Sequence, residues 1–213
     1  MKLFILGGTG ATGGLFIADA LAAGHEVTAY VRNPQKLTPR TGLNVTAGDV
    51  LDPGAMAEAM RGADAAVSML GLRSARPGGF SEGAQRAIVQ AAQRSGTTRV
   101  LVMSAFGVGE SRAKASRLAR LMYDAGGKAI YADKAAGEKI LTASGLGWTL
   151  AYPVLLTNKP RSSAFTVIDL AQLQHLPGLP RVPRADVAGF LLDAAASDSW
   201  SRRTAVLTTA RPR

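Results

Sequence analysis

Short apolar runs alternate along the chain with longer stretches in which apolar residues recur at helical spacing. The short runs are rich in valine, isoleucine and leucine, and most of them are apolar throughout instead of alternating with polar residues. Strands that are buried on both faces show this pattern, which is typical of a parallel sheet covered by helices. The predicted strands are Lys2–Leu6, Glu26–Val31, Asn44–Ala47, Ala63–Met69, Arg99–Met103, Trp148–Tyr152 and Thr204–Thr208.

Helix boundary signals lie between these strands. Acidic residues or proline precede the periodic stretches and glycines follow them, as at the ends of helices. The alternation of strand and helix predicts a doubly wound Rossmann fold of the α/β class, with a mostly parallel sheet and helices on both faces. We expect a single domain over residues 1–213. The predicted helices are Thr12–Ala23, one from Asp52 to Gly62, Ser81–Ser95, a basic helix at Ser111–Tyr123, Lys134–Ser144 and a last helix from Arg184.

One stretch breaks the alternation. Residues 154–183 contain four prolines and little periodicity, which predicts long loops. In open α/β sheets, ligands bind beside the carboxyl ends of the strands, where such loops lie. We therefore predict substrate-pocket loops at about 105–125 and 154–183.

The first turn carries the sequence GGTGATGG between a predicted strand and a predicted helix. Gly7 allows the sharp turn, Gly10 lets the backbone approach a pyrophosphate, and Gly13 lets the helix pack closely on the sheet. Main-chain N–H groups and the positive end of the helix dipole then face the phosphates. The sequence therefore predicts a dinucleotide site. Its other turn residues are Thr9, Ala11 and Thr12.

The end of the second strand distinguishes between cofactors. Sites that prefer NAD place Asp or Glu there to bind the ribose 2′-hydroxyl, whereas this strand ends in Tyr30-Val31, followed by Arg32 and, four residues later, Lys36. A guanidinium binds phosphate through paired hydrogen bonds, and a carboxylate would repel it. We therefore predict that Arg32 and Lys36 bind the 2′-phosphate of NADP(H).

Further residues follow the third and fourth strands. Asp49 and Val50 are placed to flank the adenine, with Asp49 accepting from its amino group. Leu70 and Gly71 would let the backbone run beside the cofactor, and Arg73 would reach a phosphate. Their order along the chain, more than any one residue, supports this interpretation.

Composition narrows the classes of partner. The chain has no cysteine, which excludes disulfides, thiolate metal sites and cysteine nucleophiles, and its two histidines are too far apart to suggest a metal site. The net charge is +10, but the basic residues are scattered and not interleaved with aromatic ones, so we favour an anionic small ligand over nucleic acid. No apolar run approaches the ~20 residues of a membrane-spanning helix. We expect a cytoplasmic protein and leave its oligomeric state open, with a monomer slightly favoured.

The motifs, in their order, resemble those of atypical short-chain dehydrogenases/reductases. They read GGTGATGG, VRNPQKL, GDVLDP, MLG, VMSAFG, KAAGEKILTASGLGWTLAYP and RADVAGFLLDA. Over nearly the whole chain, the resemblance is strongest to NAD(P)-binding proteins similar to flavin reductase/biliverdin reductase B and to NmrA-like proteins. It implies NADP(H) in the glycine turn and a pocket at the nicotinamide end. The residues that it places along the cofactor toward the nicotinamide are Leu70, Gly71, Ser104, Ala105, Tyr152, Pro153 and Val154.

The residues that would carry the chemistry are Ser104 and Lys134. Short-chain dehydrogenases that oxidise alcohols use a Tyr-x-x-x-Lys pair, and the nearest match here, Tyr131-x-x-Lys134, is one residue short. Direct hydride transfer to a flavin or quinone needs no such base. Ser104 could bond the nicotinamide or an acceptor, and Lys134 could bind the ribose or an acidic substrate. Both also have structural interpretations: a strand-end hydroxyl bonded to backbone, and a surface ion pair with Glu138.

Three functions follow from these observations. The one we favour is an NADPH-dependent oxidoreductase that transfers hydride to a flavin, quinone or related acceptor. The alternatives are an NmrA-like redox sensor, which would bind NADP(H) without turnover, and a sugar-nucleotide epimerase or dehydratase. The missing Tyr-x-x-x-Lys pair and the Arg32 site disfavour the last.

Overall fold

Strands and helices alternate along most of the chain in the computed structural model, which describes residues 1–71 and 79–210. The strands are β1 (Lys2–Leu6), β2 (Glu26–Val31), β3 (Leu43–Ala47), β4 (Ala65–Ser68), β5 (Arg99–Met103), β6 (Gly147–Pro153), β7 (Leu155–Thr157), β8 (Thr166–Asp169), β9 (Arg181–Pro183) and β10 (Arg203–Thr208). The α-helices are α1 (Ala11–Ala22), α2 (Pro53–Met60), α3 (Phe80–Ser95), α4 (Arg117–Thr142) and α5 (Arg184–Ala195).

Within the described ranges, eight strands form one sheet in the order β3-β2-β1-β4-β5-β6-β10-β8. Neighbouring strands are parallel except for β8, which runs antiparallel to β10 at the edge. The order reverses between β1 and β4, so the carboxyl ends of these two strands border a crevice. This topology confirms the predicted doubly wound Rossmann fold.

The sheet is buried between two layers of helices. Helices α1 and α5 pack against each other on one face, and α3 packs between α2 and α4 on the other. Every residue of β4 and β5 is buried, which explains why these strands are mostly apolar; Ser68 and Arg99 are the exceptions. No helix in residues 1–71 or 79–210 has both the length and the apolar character needed to cross a bilayer.

Two helix predictions are corrected. The predicted helices Ser111–Tyr123 and Lys134–Ser144 belong largely to one helix, α4, which follows a short 3-10 turn at Gly109–Arg112. The helix runs through Gly127, where the Tyr131 ring packs close to the backbone. A Cβ there would lie 2.8 Å from the Tyr131 ring.

The region 154–183 is also more ordered than predicted. Strands β7 and β9 pair in parallel as a small separate sheet, and β8 extends the main sheet. Each of these strands has only three or four residues, too few for an alternating pattern to indicate a strand. The segment therefore combines three short strands with the connections 158–165 and 170–180, and its role as a substrate-pocket loop stays a prediction.

Candidate functional site

The turn between β1 and α1 forms a closely packed cradle. Gly7 has φ +83°, and a Cβ there would lie 2.6 Å from the Met69 carbonyl oxygen. A Cβ on Gly13 would lie 2.2 Å from the Gly7 carbonyl oxygen. Position 13 must therefore be glycine for α1 to pack this closely against the turn. Gly10 is the N-cap of α1, and no side chain accepts from the first N–H groups. These N–H groups can therefore bind an anion, which fits a dinucleotide pyrophosphate.

A groove of about 380 Å³ runs from this cradle along the carboxyl ends of β1, β2, β4 and β5. We refer to it as the dinucleotide groove. Arg32 follows β2 and Met103 ends β5, so these residues lie toward opposite ends of the groove. The predicted cofactor residues that line it are Gly7, Thr9, Gly10, Ala11, Thr12, Arg32, Lys36, Val50, Leu70 and Gly71.

Other predicted cofactor residues do not line the described part of the groove. The Asp49 carboxylate accepts from the Leu51 N–H at 3.0 Å, and its bond to adenine stays a prediction. Ala105, Tyr152, Pro153 and Val154 lie at the ends of β5 and β6, close to the groove but outside its lining. Arg73 lies outside the described residues.

A small polar cavity of about 40 Å³ adjoins the dinucleotide groove at Leu70, Gly71, Phe80 and Met103. It can hold about two water molecules. The amide nitrogen of Gln85 has no hydrogen-bond partner in the described part of the chain, although the residue is only 6% exposed. A polar group in this cavity would satisfy it. The polar side chains around the cavity are Ser68, Ser81, Gln85, Ser104, Lys134 and Glu138.

Glu138 connects three elements of this cavity. The Ser104 hydroxyl at the end of β5 donates to its Oε1, and the Tyr152 hydroxyl of β6 donates to its Oε2 at 2.6 Å. Burial raises the pKa of Glu138, while the two hydroxyls and Lys134 oppose this effect. Burial and the neighbouring carboxylate raise the pKa of Tyr152, so Tyr152 stays protonated and is unsuited to act as a base.

Lys134 lies one helical turn before Glu138 and lines the same cavity. Burial lowers the pKa of its ammonium group, and the carboxylates of Glu138 and Asp133 act in the opposite direction. The Lys134 ammonium group makes no hydrogen bond or close ion pair with any residue in 1–71 or 79–210. The Ser104 hydroxyl bonds Glu138 instead of backbone, and no close ion pair joins Lys134 to Glu138. The catalytic roles of Ser104 and Lys134 stay predictions.

Asp133 fixes the adjoining part of α4 against α3. Its carboxylate accepts from the N–H groups of Ser81 at 2.8 Å and Glu82 at 3.1 Å, and so caps the start of α3. Burial raises the pKa of Asp133, but these backbone hydrogen bonds outweigh it and hold the pKa below its ordinary value. The contact sets the position of Lys134, the next residue along the helix.

The basic residues of the predicted helix at Ser111–Tyr123 partly serve the fold. The Lys114 ammonium donates to the carbonyl oxygens of Leu170 at 2.9 Å and Leu173 at 2.6 Å. Arg112 forms an ion pair with Asp124 at 2.8 Å. Neither side chain is simply solvated.

Arg184 is a groove residue that the sequence did not reveal. It begins α5, lines the dinucleotide groove and donates to Asn158 Oδ1 at 2.7 Å. Asp186, two residues later, has a structural role instead: it is buried and accepts from the Ser162 N–H at 3.0 Å. The sequence signal that could have indicated this role is a basic residue at the start of a helix on the ligand side of the sheet.

Comparison with known proteins agrees with this geometry. A profile described as NAD(P)H-binding matches residues 7–198. The chain belongs to this NAD(P)H-binding family. The match confirms the predicted nicotinamide dinucleotide cofactor. The preference for NADPH over NADH continues to rest on Arg32 and Lys36.

Several solved structures share the fold. The oxidoreductase ylbE of Lactococcus lactis is 18% identical, with a TM-score of 0.82 over 100% of this chain and 92% of that one. ChuY of Escherichia coli, an anaerobilin reductase, is 24% identical, with a TM-score of 0.81 over 100% of both chains. A short-chain dehydrogenase/reductase of Veillonella parvula, solved with NADP, is 20% identical, with a TM-score of 0.81 over 97% of this chain and 93% of that one. With the family match, these confirm the predicted resemblance to NAD(P)-binding short-chain dehydrogenase/reductase-like proteins.

Proposed function

We propose that this protein is an NADPH-dependent oxidoreductase that reduces a flavin, quinone or related conjugated acceptor. The observation that carries the proposal is the contact between two cavities. The polar cavity of Ser104 and Lys134 opens onto the dinucleotide groove at Met103, toward the end away from Arg32. Fold relatives described as an oxidoreductase and an anaerobilin reductase add support.

The groove residues would bind and orient the cofactor. Arg32 and Lys36 would hold the 2′-phosphate, and the N–H groups after Gly10 would hold the pyrophosphate. A cofactor bound in this orientation would have its nicotinamide at the end of the groove beside Met103 and the polar cavity. NADPH, when bound, supplies a hydride.

An acceptor that gains a hydride must also gain a proton, and Lys134 Nζ is our candidate donor. The group lines the cavity, and its lowered pKa means that it gives up a proton more readily than an exposed lysine. Glu138 acts as a positioning residue, because Ser104 and Tyr152 hold its carboxylate and its negative charge favours the protonated form of Lys134.

Oxidation of NADPH by the purified protein tests the proposal. FMN, riboflavin, a quinone and a redox dye serve as acceptors, with NADH assayed in parallel. We expect turnover that prefers NADPH. Lys134→Met should lower kcat about 100-fold. Lys139→Met, at an exposed position of the same helix, should leave kcat unchanged. Tight NADPH binding without turnover on any acceptor would overturn the proposal and favour a redox sensor.

A further inference from the structure

A second and larger cavity, of about 470 Å³, lies between α4 and the loop that follows β5. We call it the tyrosine cavity, after Tyr123 and Tyr131 in its wall. The loop and α4 also contribute to the candidate site. The loop continues from Ser104, and on α4 Tyr131 precedes Lys134 by about 4.5 Å along the helix axis. Glu110, in the same loop, is close enough to the Tyr152 hydroxyl to help raise its pKa. The tyrosine cavity therefore lies beside the candidate site.

The two tyrosine rings are set in place by packing. Their centroids are 5.1 Å apart, and their planes are tilted by 44°. Gly107 has φ +107°, and a Cβ there would lie 2.7 Å from the Tyr123 ring, just as a Cβ on Gly127 would meet the Tyr131 ring. Larger residues at either glycine would displace the rings, so the aromatic wall depends on both glycines.

The tyrosine hydroxyls are available to a ligand. Neither makes a hydrogen bond with any residue in the described ranges. Burial raises the pKa of Tyr123 to about 12 and also raises that of Tyr131, so both are neutral phenols that can donate a hydrogen bond.

The rim of the cavity carries one uncompensated positive charge. Arg112 and Asp124 both line the cavity, and their ion pair cancels their charges. Lys128 also lines it, is exposed, and forms no ion pair in the part of the chain that the structure describes. A ligand that complements this rim carries a negative group.

We propose that the tyrosine cavity binds the acceptor, as a flat conjugated ring system that carries an anionic substituent; this rests on the reductase function proposed above. The ring packs against Tyr123 and Tyr131, whose hydroxyls donate to ring carbonyls, and Lys128 pairs with the anion. A volume of about 470 Å³ lies within the usual range for small-molecule sites. Tyr131 and Lys134 are three residues apart on α4, so a ring that extends beyond the tyrosine cavity past Tyr131 would reach the proton donor and the nicotinamide end of the dinucleotide groove.

FMN and riboflavin form a matched pair of probes, since they share the ring and differ by one phosphate. We expect the wild-type protein to have a lower KM for FMN than for riboflavin. Lys128→Met should raise the KM for FMN by about three- to fivefold, leaving kcat and the KM for riboflavin unchanged. Tyr131→Leu should raise both KM values by about three- to tenfold. Lys139→Met is the control for loss of a positive charge elsewhere on α4 and should change neither value.

A binding measurement separates this proposal from the reductase function. Quenching of FMN fluorescence by protein saturated with NADP⁺ gives a dissociation constant without turnover. If NADPH is not oxidised but FMN binding still weakens in Lys128→Met and Tyr131→Leu, the cavity is a ligand site and only the reductase function fails. If turnover continues and neither variant changes KM or FMN binding, the acceptor binds elsewhere and the cavity proposal is overturned.

Discussion

Among single side chains, Glu138 and Lys134 are coupled in a way that a pH profile can detect. A general acid works only while protonated, so activity should fall as pH rises through the lowered pKa of Lys134. Glu138→Gln removes a negative charge that raises this pKa. We therefore expect the alkaline limb of kcat to move to lower pH in this variant, measured with FMN over about pH 6 to 10.

Two outcomes distinguish this coupling from a merely structural role of Glu138. In Lys134→Met, the residual activity should lose the alkaline limb altogether. A uniform loss of activity in Glu138→Gln, with the limb at the wild-type pH, would show that Glu138 contributes to packing only.

Arg32 gives a second test at this level. Arg32→Ala should weaken NADPH binding about 10- to 100-fold, the loss expected for a charge-assisted contact with phosphate, and should leave NADH binding nearly unchanged. Calorimetric titration with both cofactors measures this difference. Arg40→Ala, which removes an exposed arginine outside the groove lining, is the matched control. An equal loss of affinity for NADPH and NADH would contradict the 2′-phosphate assignment.

The side chains that sequence spacing predicted are those whose neighbours are close in the chain. Gly7 and Arg32 follow strand ends directly, Gly10 is three residues after Gly7, and the fold places all three in the dinucleotide groove. Glu138 was missed because its partners Ser104 and Tyr152 are 34 and 14 residues away, on separate strands. No local sequence pattern predicts that these three side chains are in contact.

Among the helices and strands, the approach of α1 to the glycine turn gives a clear stability test. Gly13→Ala places a methyl group 2.2 Å from the Gly7 carbonyl oxygen, whereas a Cβ on Gly14 meets nothing within 4 Å. We expect Gly13→Ala to cost about 2 kcal/mol, lower the Tm by about 5 °C and weaken NADPH binding. Gly14→Ala should raise stability by about 0.5–1 kcal/mol, because alanine favours a helix.

Thermal unfolding of both variants, with and without NADPH, provides the measurement. Equal Tm values for the two variants would show that α1 moves away from the turn at little cost. The matched pair differs only in which side of the helix receives the methyl group.

The elements that the sequence predicted correctly are those with a strong local signal, such as the apolar runs of β1 and β5 and the helical periodicity of α3. Helix α4 was divided because its middle contains glycines, yet Gly127 is present to accommodate the Tyr131 ring. Strands β7 and β9 are three residues each, and they exist because they pair with each other. Tertiary packing, more than local propensity, determines both cases.

At the scale of the whole protein, the two proposed ligand sites have separate linings. The described residues that line the dinucleotide groove and those that line the tyrosine cavity have no member in common. The proposal therefore predicts that NADPH and the acceptor are bound at the same time. Initial rates measured against both substrates should give intersecting double-reciprocal lines, as expected for a ternary complex, and NADP⁺ should compete with NADPH but not with FMN.

Variants at the two sites extend this test. Because the sites are separate, Arg32→Ala should raise the KM for NADPH without changing the binding of FMN, and Lys128→Met should do the reverse. The effects of the double variant on binding free energy should then add, as for distant and independent sites. If FMN displaces NADPH in a binding titration, FMN enters the dinucleotide groove itself and the two-site arrangement is contradicted.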